Sequence, residues 1–350
     1  MTFLRPDPLE DGYRAFRVPP GEEGLRLDRF LHRRLSWLSR SAAARLIREG
    51  RVARGGAEGG RALRPSTRVF SGERYSVRLP ADPKDAEAAR RSPPLLEEEI
   101  LFEDESVVAV DKRAGVPVHP VGMNLYRTVL TGLRSRALAA GEAPERLPRL
   151  VHRLDLETSG VLLAAKGREA ARFLTARFRE GRVEKEYAAL VYGRVEEDAG
   201  RIELPLGPEP GARVPYKQAV RREGGRPAVT EYRVLRRGRE VTLLLLRPRT
   251  GRKHQLRVHL AALGHAVVGD KVYGPDEKYY FQAREGPPGP EALGELLLPR
   301  QALHALRLTF PHPRRRRPVT IEAPLPAAFV RLLEGREGDG PGPTPLSPGH

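Results

Sequence analysis

Three features of the 350-residue chain predict an α+β protein: a mixed, largely antiparallel central sheet flanked by helices, preceded by a small α/β domain. Runs with β character outnumber helical ones and do not alternate with them in regular βαβ fashion, which argues against a doubly wound parallel sheet. A pair of short amphipathic helices stands near the start, ahead of the main group of strands. A polar, proline-bounded stretch then separates that pair from the rest, and the length itself exceeds one ordinary domain.

Taken in order, residues 1–22 contain proline and glutamate without a period and are expected to form an extended tail. Residues 23–80 make the first domain. Leu27, Phe30, Leu31 and Leu35 recur at helical spacing, with Arg29, Arg33 and Arg34 on the other side. Ser41 reads as the N-cap of a second helix that turns Ala43, Leu46 and Ile47 inward and stops at Gly50. Arg40, Arg45, Arg48, Arg51 and Arg54 stud this helix and the turn after it. A solvated basic face is one reading; the concentration of arginine on two adjacent helices favours an RNA-contacting face. Short strands over 68–70 and 74–79 follow.

Residues 81–94 read as a linker, and 95–334 as the larger domain. There, 100–102, 107–110, 161–165, 183–192, 229–235 and 241–246 are β-type runs. A helix from about Arg168 to Glu180 turns Phe173, Leu174 and Phe178 inward, and a shorter one over 254–263 ends at Gly264. Residues 275–293 are polar and Gly/Pro-rich, expected as a loop, and 306–310 with 319–322 suggest a hairpin whose tip is 314–317. The end, 335–350, is expected to be disordered.

Composition limits the chemistry. Lys+Arg number 62 against 45 Asp+Glu, a net charge of +17, and only eight of the basic residues are lysine. The charge implies attraction to nucleic acid or an anionic membrane, with steep salt dependence. Arginine suits bidentate phosphate contacts and base stacking, although arginine and proline bias also reflects GC-rich coding. Cysteine is absent, which removes disulfides, thiol nucleophiles and cysteine-held zinc. No basic-then-apolar leader opens the sequence and no apolar run approaches the length that spans a bilayer. A cytoplasmic protein with no membrane partner is expected, monomeric by default.

Val151-His152-Arg153-Leu154-Asp155-Leu156-Glu157-Thr158-Ser159-Gly160 packs an acid, a fixed positive charge and a turn into ten residues. A kinase catalytic loop is excluded, because Asp does not directly follow His-Arg and no Gly-rich loop or Asp-Phe-Gly is present. No Gly-Lys dipeptide occurs, so a Walker phosphate loop is excluded too. If the motif is extended, Arg153 and Asp155 share a side. A structural Arg–Asp brace and a catalytic acid facing a cleft both fit that geometry; taken alone, the stretch favours the brace.

Thr250-Gly251-Arg252-Lys253-His254-Gln255-Leu256-Arg257 places basic and polar donors at a strand-to-helix turn, a natural phosphate site whose alternative is a solvated turn. Lys185, Tyr187, Ala189 and Val191 share one strand face, with Tyr187 either core or a platform for a base. His254, His259 and His265 lie close in sequence, but spacings of five and six do not make the i, i+4 pair of a metal site. Hydrogen-bonded histidines, with no metal, are expected.

Two resemblances bear on these residues. Arg26-Leu27-Asp28-Arg29-Phe30-Leu31, Ser39-Arg40-Ser41 and Leu46 to Val52 resemble the S-four RNA-binding domain, with Ala53-Arg54-Gly55-Gly56 in place of its usual Val-Asn-Gly turn. His152 to Gly160, Lys185 to Gly193 and Thr250 to His259, followed by Gly264-His265 and Gly269-Asp270 to Tyr273-Gly274, resemble the RluA/RluD-type pseudouridine synthases. Glu103-Asp104 to His119-Pro120, Arg226 to Tyr232 and Gln301 to Ala305 are weaker matches. Arg113 and Ala266 stand where the family commonly has proline.

The resemblance implies isomerisation of specific uridines to pseudouridine in RNA, without cofactor or metal. It implies Asp155 as the essential acid, Tyr187 stacked on the target base, and Arg257 paired with Asp155. Arg153 resembles the residue that fills the stack left by the flipped base, with His152, Arg252 and Lys253 along the RNA path. RNA contacts through Arg40, Arg45, Arg48 and Arg51 are expected from the first domain. The order of domains is that of members acting on large-subunit ribosomal RNA, with transfer RNA as the alternative. A non-catalytic assembly factor fits poorly with Asp155, Tyr187 and Arg257 all present.

Overall fold

The computed structural model describes residues 13–35, 40–55, 63–78, 99–119, 128–214, 216–284, 286–315 and 317–335. These fall into two compact units. The first comprises residues up to 96 together with 117–144, the second 97–116 together with 145 onward. Residues 117–144, expected in the larger domain, therefore group with the smaller unit. The expected linker lies wholly outside the described residues, as does the tail after Gly335.

In the first unit, β1 (Tyr13–Arg17), β2 (Val52–Arg54) and β3 (Arg74–Arg78) form a sheet in the order β1-β3-β2, antiparallel throughout. Part of the expected N-terminal tail is thus an edge strand, fixed because Ala15 and the following Val18 are buried. Helices α1 (Leu27–Arg34) and α2 (Arg40–Arg48) pack with it around Phe30, Leu31, Leu46, Ile47, Tyr75 and Val77. Ser41 lies inside α2, which already begins at Arg40, so it does not occupy the expected cap position. Helix α3 (Val129–Ala139), which the sequence reading did not anticipate, starts on a capping box made by Thr128 and Thr131.

The second unit is organised by one large sheet. Among the described residues its path runs β4-β5-β7-β14-β8-β13-β12-β9, with β6 beside β7 and β15 beside β14. The strands are β4 (Ile100–Glu103), β5 (Val107–Lys112), β6 (Pro148–Leu150), β7 (Ser159–Lys166), β8 (Glu184–Tyr192), β9 (Ala199–Glu203), β12 (Val229–Arg237), β13 (Val241–Pro248), β14 (Leu303–Pro311) and β15 (Pro318–Glu322). A separate pair, β10 (Leu206–Pro208) with β11 (Gln218–Val220), lies off it. The expected mixed sheet is present: β7 and β14 pair parallel, and the other pairs within it are antiparallel.

Strands β7 and β13, and β8 from Tyr187 onward, are nearly continuous apolar runs because both of their faces are covered. Helix α4 (Gly167–Arg179) packs Leu174 into the cluster around Leu163 and Phe310. Helix α5 (Gln255–Ala262) and α8 (Ala327–Glu334) contribute Leu256, Leu260, Phe329 and Leu333 to the cluster around Leu190, Leu244 and Val268. Residues 275–293 are not a plain loop. Two short helices, α6 (Lys278–Gln282) and α7 (Pro290–Leu296), fold there around Tyr279, Ala292 and Leu296.

Candidate active site

The central strands carry the candidate residues to one open cleft of about 920 Å³, lined by Arg153, Asp155, Lys185, Tyr187, Lys253, His254 and Arg257 among others. Asp155 sits between β6 and β7 in a stretch that is not a strand, so the alternation that would set Arg153 and Asp155 on one side does not operate. Val151 and Leu154 pack inward, Arg153 is exposed, and Asp155 is half-buried at the cleft wall.

The loop around Asp155 is held at several points. The carbonyl of Leu156 accepts hydrogen bonds from Lys112 Nζ at 2.9 Å and from the Gly115 amide at 2.9 Å. Lys112 is 1% exposed, and its other two protons go to the carbonyls of Arg113 and Val116, both at 2.9 Å. Burial draws its pKa down to about 7 while Asp155 raises it, and the three carbonyls are satisfied together only by the ammonium form. On the far side of Asp155, the Glu157 carboxylate accepts from Lys271 Nζ at 2.6 Å and from the Gln301 amide at 3.2 Å. Gln301 Nε2 donates to Thr158 Oγ1 at 2.6 Å.

Arg257 enters from α5. Its Nη1 donates to Asp155 Oδ2 at 3.0 Å, while Nε and Nη2 fork onto Asp270 at 2.6 and 2.8 Å. Asp270 is fully buried and also accepts from the amides of Val272 and Tyr273 at 2.9 and 3.1 Å. Burial opposes charge on both partners of the fork. Each outweighs that penalty for the other: Asp270 is held below the usual carboxylate range and Arg257 is raised. The guanidinium also lies 4.9 Å from the Tyr273 ring centroid. Asp155 therefore takes the one remaining arm of an arginine already fixed from behind.

Tyr187 stands on β8, in register with Leu246 on one neighbour and Ala305 on the other. Burial, and then the charge of Asp155, push its phenol well above its ordinary value, so it stays protonated through the neutral range. His254 occupies the left-handed region (φ 54) just before α5, an uncommon conformation for a residue with a side chain. Its Nδ1 is 2.7 Å from Tyr273 Oη, which accepts from the Gln218 amide at 2.8 Å. Burial, followed by the Arg257 charge, lowers the His254 pKa to about 4. Gln255 Oε1 accepts from the Thr250 hydroxyl at 2.7 Å and the Arg252 amide at 3.0 Å, tying the basic turn to the start of the helix.

The remaining expected RNA-path residues separate into two groups. Arg153 and Lys253 are exposed at the cleft. Lys253 Nζ lies 5.0 Å from the Tyr216 ring centroid, and Arg252 Nε donates to the Pro227 carbonyl at 3.0 Å. His152 also lines the cleft. Its ring stacks on Phe178 at 4.7 Å and its Nε2 accepts the Leu163 amide at 2.9 Å, with burial lowering its pKa to about 3. In the first unit, Arg40 pairs with the buried Asp28 at 3.2 Å, Arg45 and Arg51 pair with Glu49, and Arg48 is exposed. Those pairs leave much of each guanidinium in solvent.

The clustered histidines reach different partners. His259 contacts Thr230 Oγ1 and the Leu204 carbonyl, and His265 the Tyr192 carbonyl. Sequence reasoning assigned no role to Asp270, Lys112, Glu157, Lys271 or Gln301. Asp270 offered a signal, being an acid set directly after the apolar pair Val267-Val268 and a glycine. Gly269 has φ +72, and a Cβ there would meet the Arg300 carbonyl oxygen at 2.0 Å.

A basic cleft with a clamped carboxylate beside a tyrosine can hold a polyanion along its walls while an acid addresses a planar ring within. The comparisons agree with that chemistry. Residues 106–262 match the RNA pseudouridylate synthase family and residues 25–73 match the S4 domain. The "Ribosomal large subunit pseudouridine synthase D" of Nitrosomonas europaea is 37% identical over 91% of this chain and 86% of its own. An "Uncharacterized RNA pseudouridine synthase" of Aquifex aeolicus is 36% identical over 93% of this chain and 98% of its own. The solved human RNA Pseudouridylate Synthase Domain Containing 4 superposes with a TM-score of 0.54 at 27% identity, covering 70% of this chain and 95% of that one. This chain belongs to the RNA pseudouridine synthase family and carries an S4 RNA-binding domain at its N-terminal end.

Proposed function

We propose that the chain converts specific uridines of large-subunit ribosomal RNA to pseudouridine, with Asp155 as the reacting carboxylate. The observation that carries the reading is the Asp155–Arg257–Asp270 chain at the cleft, with Tyr187 beside it. The relative from Nitrosomonas, named for the large ribosomal subunit and similar over most of both chains, supports the choice of RNA.

The reaction is an isomerisation. The bond from N1 of uracil to the ribose breaks, the base turns, a bond from C5 to the same ribose carbon forms, and the C5 proton leaves as N1 gains one. Nothing is oxidised and no group is imported. A uridine within folded RNA must first leave its stack, at a cost of a few kcal/mol. Arg153, exposed at the cleft, occupies the vacated space. Asp155 acts on the ribose or the uracil as nucleophile or base, its carboxylate oriented by Arg257. Tyr187 stacks on the base and, as a neutral phenol, is able to relay the C5 proton. Arg252 and Lys253 hold the RNA at the cleft, and Arg40, Arg45, Arg48 and Arg51 contact it from the S4 domain.

The test is pseudouridine mapping by carbodiimide-dependent primer extension in cells lacking the gene, complemented with wild type or Asp155→Asn. Particular large-subunit sites vanish in the deletion strain, and only wild type restores them. Restoration by the variant would refute the role of Asp155, and loss confined to transfer RNA would replace the substrate.

A further inference from the structure

We infer that Lys185 is a phosphate-binding residue that takes a phosphodiester oxygen of the nucleotide lodged over Tyr187. The inference rests on the reading above, that the Asp155–Tyr187 pocket receives the uridine. Lys185 precedes Tyr187 by two residues on β8, so both side chains leave the same face of the strand, about 7 Å apart along it. That separation is comparable to the span from a nucleobase across its ribose to the phosphate. Glu186, between them, reaches Arg247 and Arg307 instead.

The decisive feature is what Lys185 lacks. Of the described lysines, Lys112 gives its protons to carbonyls, and Lys166, Lys217, Lys271 and Lys278 pair with carboxylates. The two with neither kind of partner, Lys185 and Lys253, both line the cleft. Lys253 is exposed and water serves it, whereas Lys185 is half-buried. Its Nζ lies 3.8 Å from where a Cβ on Gly251 would stand, against the basic turn that leads into α5. A partly desolvated cation with no counter-ion weakens the fold, and burial lowers its pKa accordingly. Of the carboxylates that line the cleft, Asp155 pairs with Arg257, Glu186 pairs with Arg247 and Arg307, and Glu184 makes no ion pair with Lys185. Arg153, Arg252 and Lys253 add positive charge there, so the missing partner is an anion from outside the chain. In an RNA-modifying enzyme, a backbone phosphate is that anion.

The test uses the full chain and an RNA fragment that the wild-type enzyme modifies, made with a neutral methylphosphonate at either phosphate flanking the target uridine. On unmodified RNA, Lys185→Met lowers kcat/KM about 10- to 100-fold, the range of a charge-assisted hydrogen bond. At one of the two positions the methylphosphonate lowers wild-type kcat/KM similarly and leaves the variant unaffected. The melting temperature of Lys185→Met stays level or rises, because an uncompensated charge has been removed. Equal effects of the substitution on all three RNAs, no effect on any, or a melting temperature lowered by several degrees would each overturn the proposal. Asp155→Asn is run alongside. If it is inactive while Lys185→Met is normal, only the phosphate site fails; if it remains active, the pocket reading fails as well.

Discussion

Asp270 has no access to the cleft, yet it sets the geometry there. Arg257 is 7% exposed, and a buried guanidinium needs more than one half-buried carboxylate to stay in place. The fork onto Asp270 supplies that anchor and leaves Nη1 for Asp155. Asp270→Asn keeps the acceptor for the Val272 and Tyr273 amides but removes the charge, leaving Arg257 to pull on Asp155 alone. The expected outcome is a loss of about 3–5 kcal/mol in chemical denaturation, the usual result of breaking a buried pair from one side. In the variant that remains folded, kcat falls while KM changes little. A variant with wild-type kcat would show that Asp155 needs no such support. At this scale much was legible beforehand, through the family resemblance and not through spacing: it singled out Asp155, Tyr187 and Arg257, and a hydrogen bond joins 257 to 155 where the stretch taken alone favoured 153 with 155. The hidden part was the anchor behind them. Lys112, Glu157 and Gln301 join segments tens to hundreds of residues apart, and no local pattern encodes which distant acid a buried arginine will choose.

At the scale of elements, the site depends on how closely β7 approaches β14. Their short parallel register pairs Ser159 with His304 and Gly160 with Ala305, and the Ser159 hydroxyl contacts His304 Nδ1 at 2.9 Å. A Cβ on Gly160 would meet the Ala305 carbonyl oxygen at 2.2 Å, and its φ of +105 disfavours any side chain. Both atoms in that clash are held by the backbone, so no rotamer change relieves it. Gly160→Ala is expected to destabilise the second unit by about 2–5 kcal/mol and to displace the Asp155 loop. Gly294→Ala is the control, since its Cβ would meet nothing within 4 Å and it lies in helix α7. If calorimetry gave the two variants equal melting temperatures, the close approach would be unimportant. The longer strands and α4 were readable because apolar residues dominate them and turn residues bound them. The short β9, β10 and β11 were not, being too polar and brief to show a period. Helices α6 and α7 were obscured because five and seven residues within a Gly/Pro-rich stretch carry little helical signal.

Across the whole molecule, the question is how the charge of +17 is divided between recognition and chemistry. The cleft supplies cations close to Asp155, whereas the S4 domain supplies them on the arginines of its two helices. Arg48 is exposed, and the pairs made by Arg40, Arg45 and Arg51 leave much of each side chain in solvent. Phosphate competes well for such arginines, because surface ion pairs contribute about 0–1 kcal/mol each. Each phosphate neutralised releases counter-ions and adds roughly 0.7–0.9 to the slope of log affinity against log salt. Removing residues 1–80 is therefore expected to weaken binding most at low salt. The slope should fall by about two or more, as it would if roughly three phosphates were no longer neutralised. Filter binding over a salt series reads this directly. An unchanged slope would mean that the arginines of α1 and α2 stay in solvent when RNA binds, and that the cleft alone accounts for the electrostatic attraction.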